Sequence, residues 1–338
     1  MRLAIALATG LVLLIGAAGA EGAQRYAAPN GTGSTCTQQQ PCTLAEASNG
    51  ASNGDEVIVA AGDYEITGAP LNLADTGLHL HGDFGGPMPR VFAKLGGQQA
   101  IVLSGEGVRL SYLEVQNEQT EGVGVRCTGA GTVVERARAT GIGEGAAGVV
   151  AHPGCTVRDS LVQARGTNAL GMESLGMLGS TGSTVINVTA IASGQDSAGI
   201  QSRYTDSGSG SHTLTLINSI VDGASDLRTE DGTGGPGRIV VSNSNFDSAK
   251  PETEGAIAGS ANQTAPPLVL DAAAGDYREA PGSPTIDAGI TDPANGPLDL
   301  DAGARAAGSA TDIGAYEFLP PPPTPVGASA VDASAVGT

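Results

Sequence analysis

Apolar residues recur along this chain at a spacing that suits neither hairpins nor amphipathic helices. The recurring unit is a glycine, two intervening residues and an apolar residue that opens a short strand. It runs from Gly54 to Val57, Gly77 to Leu80, Gly107 to Leu110, Gly131 to Val134, Gly154 to Val157 and Gly182 to Val185. Leu216 and Val241 continue the series without the glycine. The eight anchors lie 23, 30, 24, 23, 28, 31 and 25 residues apart. Repeats of roughly 20 to 50 residues signal solenoids. A coil of several short strands joined by turns consumes about that much chain, and the unequal remainder fits loops on one flank. Leucine-rich repeats share the period but need a leucine-asparagine consensus that is absent here. The pattern predicts an all-β, single-stranded right-handed parallel β-helix, a solenoid, over residues 21–318.

Side chains alternate across a strand, so the residue two after each anchor is expected to share its inward direction. In three coils that residue is asparagine: Asn187, Asn218 and Asn243. Stacked amides can hydrogen-bond from rung to rung and so satisfy buried polar groups, although chance placement would give the same three residues. Earlier coils carry Tyr112, Arg136 and Asp159 there, and Arg136 with Asp159 could pair between neighbouring rungs.

Composition narrows the core and the compartment. The chain has 52 glycines, no tryptophan, four phenylalanines and six tyrosines, so its interior must be built from Val, Leu, Ile and Ala. Arg2, the apolar run Leu3 to Ile15 and the small-residue site Ala18-Gly19-Ala20 have the layout of an export signal over residues 1–20. That run is shorter than the ~20 residues a membrane span needs, and no transmembrane segment is expected in the mature chain. Four cysteines in an exported chain can pair, and spacing suggests Cys36 with Cys42 and Cys127 with Cys155. A metal site is the competing reading, but no C-x-x-C occurs and histidine is scarce. A net charge of −19, with lysine only at 94 and 250, leaves no basic stripe for nucleic acid.

Both ends of the solenoid carry recognisable segments. Residues 26–64 hold Tyr26-Ala27-Ala28-Pro29-Asn30-Gly31, Pro41-Cys42-Thr43-Leu44-Ala45-Glu46-Ala47 and Gly62-Asp63-Tyr64, and resemble the opening of bacterial right-handed β-helix proteins. A strand and a short helix would form the N-terminal cap and first coil, and Thr43 with Glu46 can supply a capping box. Residues 282–318 hold Gly282-Ser283-Pro284-Thr285-Ile286-Asp287-Ala288-Gly289, Asp299-Leu300-Asp301, Arg305 and Asp312-Ile313-Gly314-Ala315-Tyr316-Glu317. This closing motif resembles that of the choice-of-anchor Q domain family of exported bacterial β-helix proteins. The resemblance implies fold and location, secreted or associated with the cell envelope, and brings no reaction with it. Residues 319–338 depart from the family: a polyproline spacer leads into an Ala/Ser/Gly/Val tail expected to be disordered.

Candidate chemistry is sparse. Hydrolysis of a glycosidic bond needs two flanking carboxylates, yet the chain has neither an Asp-Asp pair nor Gly-His-Gly. Elimination from a uronate needs a cation beside the carboxylate and a base for the proton. Arg126, Glu173 and Arg203 lie 14, 14 and 16 residues beyond positions 112, 159 and 187, with His152 at a matching depth, so these residues could share one flank. The catalytic candidates are Arg203, Glu173 and Arg228, and the binding candidates are Arg126, His152, Tyr204 and Asp206. Tyr204 is the only aromatic residue near that flank, where it could serve as a sugar platform. The competing reading is a set of solvated ion pairs on turns. Asp287, Asp299, Asp301, Asp312 and Glu317 could gather oxygen ligands for calcium, Asp299, Asp301 and Asp312 being the candidates in a chain that otherwise calls for no cofactor. Alternatively Asp301 or Asp312 pairs with Arg305 and locks the cap. The expectation is a non-catalytic adhesive or glycan-contacting module whose partner is an extracellular polysaccharide or cell-surface glycan. The alternative is an enzyme acting on acidic polysaccharide.

Overall fold

The computed structural model of the protein describes residues 22–177, 182–205, 210–232, 235–251 and 255–320. The expected export signal, Asp206 and the tail from residue 321 lie outside the described residues. Strands stack in parallel into a right-handed β-helix, and 23 of them form one continuous sheet system.

Each coil has three faces. The first face contains Glu56–Val59, His79–Gly82, Arg109–Ser111, Val133–Glu135, the leading parts of Thr156–Arg165 and Thr184–Ser193, then His212–Ile217 and Gly235–Ser242. The two ten-residue strands continue round the corner into the second face, beside Asp63–Ile66, Arg90–Ala93, Glu114–Asn117 and Arg138–Ile142. The third face runs through Leu71–Leu73, Gln99–Leu103, Val123–Cys127, Ala147–Ala151, Leu170–Gly176, Ala198–Tyr204 and Ser225–Gly232.

All eight anchors fall in one register column. Val57 pairs with Leu80, Leu80 with Leu110, Leu110 with Val134, Val134 with Val157, Val157 with Val185, Val185 with Leu216 and Leu216 with Val241. Every one of them is buried in the aliphatic interior. The glycines opening the first five units share a left-handed conformation, with φ between 66° and 82° at Gly54, Gly77, Gly107, Gly131 and Gly154. A side chain there would be strained, which is why glycine repeats. Gly182 does not share that conformation.

The expected inward direction of the residue two after the anchor holds at Val59, which lies in the core, but is wrong from the third coil on. Tyr112, Arg136, Asp159, Asn187, Asn218 and Asn243 all have φ between 45° and 53°. They form the corner between the first and second faces, where a left-handed residue breaks the alternation of a strand. The following residue points inward instead, and in three coils it is serine. The Ser160, Ser219 and Ser244 hydroxyls accept the backbone N–H of Ala137, Val188 and Ser219 and donate to the carbonyls of Arg158, Ile217 and Ser242. An amide ladder does exist on the outside of the corner. Asn218 Nδ2 donates to Asn187 Oδ1 at 3.1 Å, and Asn187 Nδ2 to Asp159 Oδ1 at 2.9 Å. Asn243 stands outside it, and Arg136 does not pair with Asp159.

The ladder is buried because the closing segment doubles back over it. Asn218 Nδ2 also donates to the Ile290 carbonyl and Asn187 Nδ2 to the Asn295 carbonyl, while the Ile290 N–H donates to Asn218 Oδ1. Arg305, 2% exposed, enters the same layer and meets Asp159 at 3.4 Å and Glu317 at 3.9 Å. Arg305 therefore ties the closing segment to the coils through Asp159, and not through the expected Asp301 or Asp312: Asp301 faces Arg138 at 3.6 Å, and Asp312 accepts backbone N–H groups of its own segment. At the other end Leu44–Asn49 is the expected short helix, with both halves of the Thr43–Glu46 capping box formed. Cys36 and Cys42 are bridged, with Cα atoms 4.8 Å apart. Cys127 and Cys155 are free thiols, contrary to expectation. Both are buried, and contact with Cys155 together with burial pushes the Cys127 thiol well up.

Candidate functional site

The third face presents the flank anticipated from sequence. Parallel pairing places Val102, Arg126, Val150, Glu173, Gln201 and Arg228 in one outward row, and Leu175, Arg203 and Glu230 in the next. Successive strands lie about 4.8 Å apart, so these side chains line up across adjacent rungs. An open groove of about 500 Å³ follows them, bordered by Arg126, Glu173, Gln201, Arg203, Arg228 and Glu230. Its strands enter beside a column of glycines. A Cβ on Gly148 would come within 2.7 Å of the Ala139, Gln163 and Gly171 carbonyl oxygens, so only glycine lets the coil narrow here.

Most of the charge in the groove is internally paired. Arg203 Nη2 donates to Glu173 Oε1 at 2.7 Å, and Gln201 Nε2 reaches the same oxygen at 3.3 Å. Arg228 Nε donates to Gln201 Oε1 at 2.6 Å and its Nη1 to the Asp196 carbonyl at 3.0 Å. Glu230 stands 3.8 Å from Arg203 and 3.9 Å from Arg228. Burial raises the Glu173 carboxyl above its usual range, against the opposing pull of Arg203. Arg126 differs, because its buried Nε has no hydrogen-bond partner. Burial and the Arg126 charge lower the basicity of His152, whose buried Nε2 also lacks a partner.

Tyr204, expected as a sugar platform, plays another part. Tyr204 is 0% exposed and cannot offer a ring to a ligand. His212 and Ser174 approach to 2.6 Å, but at 2% and 0% exposure they are a core contact. The carboxylates proposed for calcium serve the backbone of the closing segment. Asp299 accepts the N–H groups of Gly303 and Glu317, and Asp312 those of Asp287 and Phe318. Glu317 accepts from Ala307 and Asp312, and Asp287 from Ala310.

The β-helix is similar in fold to a solved pectate lyase. Superposition on the crystal structure of pectate lyase Pel9A gives a TM-score of 0.52 over 88% of this chain and 96% of that one, at 13% identity. Pectin methylesterase PemA from Erwinia chrysanthemi aligns with a TM-score of 0.44 over 67% of this chain and 80% of that one, also at 13% identity. No family model and no curated protein sequence matches the chain. Identity this low carries the architecture alone, so any chemistry has to be read from the side chains.

Sequence reasoning missed a second polar strip, on the first face. Glu56, His79 and Arg109 fall in one outward column, and His81, Ser111, Glu135 and Arg158 in the next. Glu135 is clamped by Arg109 and Arg158; burial opposes its ionisation, but the two guanidiniums hold its carboxyl below the usual range. Burial first, then His81 and Arg109, push His79 down to about 4. Beyond the strip Phe84, 49% exposed, stacks on His81 with centroids 4.8 Å apart, and the Arg136 guanidinium lies 4.7 Å from the Phe84 centroid. The legible signal was His-x-His inside a strand, since residues two apart share a face.

Proposed function

We propose that this protein is an exported β-helix that binds a glycan strand along the third-face groove without cleaving it, outside the cell or at the cell envelope. The observation that carries this reading is the groove itself: planar guanidinium, amide and carboxylate groups repeat from rung to rung, with Arg126 on its border. Such groups bind hydroxyls and carboxylates through paired hydrogen bonds. The groups a lytic reaction would need are already engaged, Glu173 by Arg203 and Gln201, and Arg228 by Gln201 and a carbonyl. No helix among the described residues is long and apolar enough to cross a membrane. Export is supported by the N-terminal layout and by the Cys36–Cys42 bridge, which persists in oxidising compartments. The closing segment's resemblance to the choice-of-anchor Q family is part of the same proposal.

The test is affinity electrophoresis of the purified protein in gels holding neutral or acidic polysaccharides, alongside assays for unsaturated products and new reducing ends. Retardation by at least one polysaccharide, weakened about tenfold or more by Arg126→Ala and without product, is the expected result. Turnover abolished by Arg203→Ala would replace binding with catalysis on acidic polysaccharide, and no retardation in any gel would remove the groove as a glycan site.

A further inference from the structure

Glu56, His79 and His81 each bring one donor atom to the same patch of the first face, and the three atoms lie within 4.8 Å of one another. The site belongs to the first face, away from the groove. His81 carries a conflict that exposes its purpose. Its Nδ1 lies 2.8 Å from the Gly82 carbonyl oxygen and its Nε2 lies 2.9 Å from Glu56 Oε1. A neutral imidazole has one N–H, so it can serve only one of two acceptors. A cation beside Nε2 and the carboxylate removes the conflict, because Nδ1–H then donates to Gly82 while Nε2 and Glu56 both offer lone pairs to the metal.

The surroundings are those of a ligand set. Metal-bound histidines almost always give their other nitrogen to a carbonyl, carboxylate or water, and ligating carboxylates are hydrogen-bonded in turn. Here His81 has the Gly82 carbonyl, His79 Nε2 meets the Ser111 hydroxyl at 2.8 Å, and Glu56 Oε2 accepts from Gln24 Nε2 at 2.7 Å. The cation nearest in register, Arg109, is turned to Glu135, so its charge is met locally. Two imidazoles and a carboxylate form the donor set of zinc sites that keep a fourth position open. Donors around tetrahedral zinc stand roughly 3.4 Å apart. Glu56 Oε1 already lies 2.9 Å from His81 Nε2, and its side chain is 33% exposed. Stacked Phe84 lies against one side of His81, and the partly exposed Glu56 puts the site within reach of solvent.

We propose that Glu56, His79 and His81 bind one zinc-class divalent ion on the first face, with its fourth position open to water or to an oxygen ligand. The experiment is titration of the chelator-treated full chain with Co²⁺, followed by its visible absorption, then displacement by Zn²⁺ measured calorimetrically. One equivalent per chain should give the intense band of four-coordinate cobalt and should be displaced by zinc. His81→Ala and Glu56→Gln should each weaken binding at least tenfold, while His152→Ala leaves it unchanged. His81 is buried, so circular dichroism and the thermal midpoint accompany each variant, and the partly exposed Glu56→Gln carries the test if His81→Ala does not fold. Absence of the cobalt band in the wild type would overturn the proposal. Binding unchanged by Glu56→Gln would overturn it as well.

Discussion

One corner of the coil does two kinds of work along its length. Tyr112, Arg136, Asp159, Asn187 and Asn218 occupy the same turn with nearly the same φ. In the open half Tyr112 donates its hydroxyl proton to the Gly86 carbonyl, and Arg136 lies over Phe84 at a partly solvated surface. In the covered half Asp159, Asn187 and Asn218 bond to one another and to the returning C-terminal segment, with Arg305 beside them. The coil sets the backbone at this position, and the covering layer sets the chemistry. An aromatic or a guanidinium is tolerated where the corner meets water. A residue that satisfies buried donors and acceptors is required where it does not.

The sharpest way to break the comparison is to remove the cation of the covered half. Arg305→Met strips Asp159 and Glu317 of their buried partner, and loss of one member of a buried pair typically costs about 3 to 5 kcal/mol. Chemical denaturation should show this as a large fall in midpoint, and a shift under about 1 kcal/mol would mean that the closing segment is not held by this contact. Next comes Asn218→Leu, which strands Asn187 Oδ1 and the Ile290 N–H and puts a bulky side chain in a left-handed turn. About 2 to 4 kcal/mol is expected from both effects. Asn243→Leu, at the same φ but outside the ladder, separates the two, since it should carry only the turn strain.

Proton binding gives a graded test. Burial pushes Glu279 up to about 8 and both Asp159 and Glu317 up to about 7. The native state therefore holds these protons more tightly than the unfolded chain, whose carboxyls titrate near 4. Their contribution to stability is complete below about pH 4 and is lost as pH rises through 7 to 8, by at most about 1.4 kcal/mol per pH unit for each group. Glu279→Gln should flatten the fall in thermal midpoint between pH 5 and 9, and an unchanged slope would place the titration elsewhere. The smallest effect is expected in the open half. Phe84→Ala should shift the midpoint by less than about 1 kcal/mol, because the ring is half exposed.

The stack was legible in the sequence because its signal is periodic. An apolar anchor after a left-handed glycine repeats with each coil, and all eight anchors share one register column. The third-face row followed from the same periodicity, which brought Arg126 and Glu173 together and set Arg203 beside them. The direction of the asparagines failed because strand alternation was carried through a residue that does not lie in a strand. The partners of Arg305 were hidden for a different reason. Asp159 sits far from Arg305 in the chain, and only the return of the closing segment brings them together. Phe84 and the His79–His81 pair carry no repeat, so a search for periodicity passes over them.

That return also orders events in time. The Thr189 hydroxyl accepts the Ala315 N–H across 126 residues, and Asn187 reaches the Asn295 carbonyl across 108. A chain that emerges amino end first completes the coils of Asp159, Asn187 and Asn218 while their lid is still to come. Long-range contacts are slow to close, so the corner must wait, its amides wetted and its acids ionised, until the last segment arrives to dry it. Docking of residues 282–318 is the step at which a stack of coils becomes a finished molecule, and whatever traps the chain before that step leaves a hydrated seam along its side.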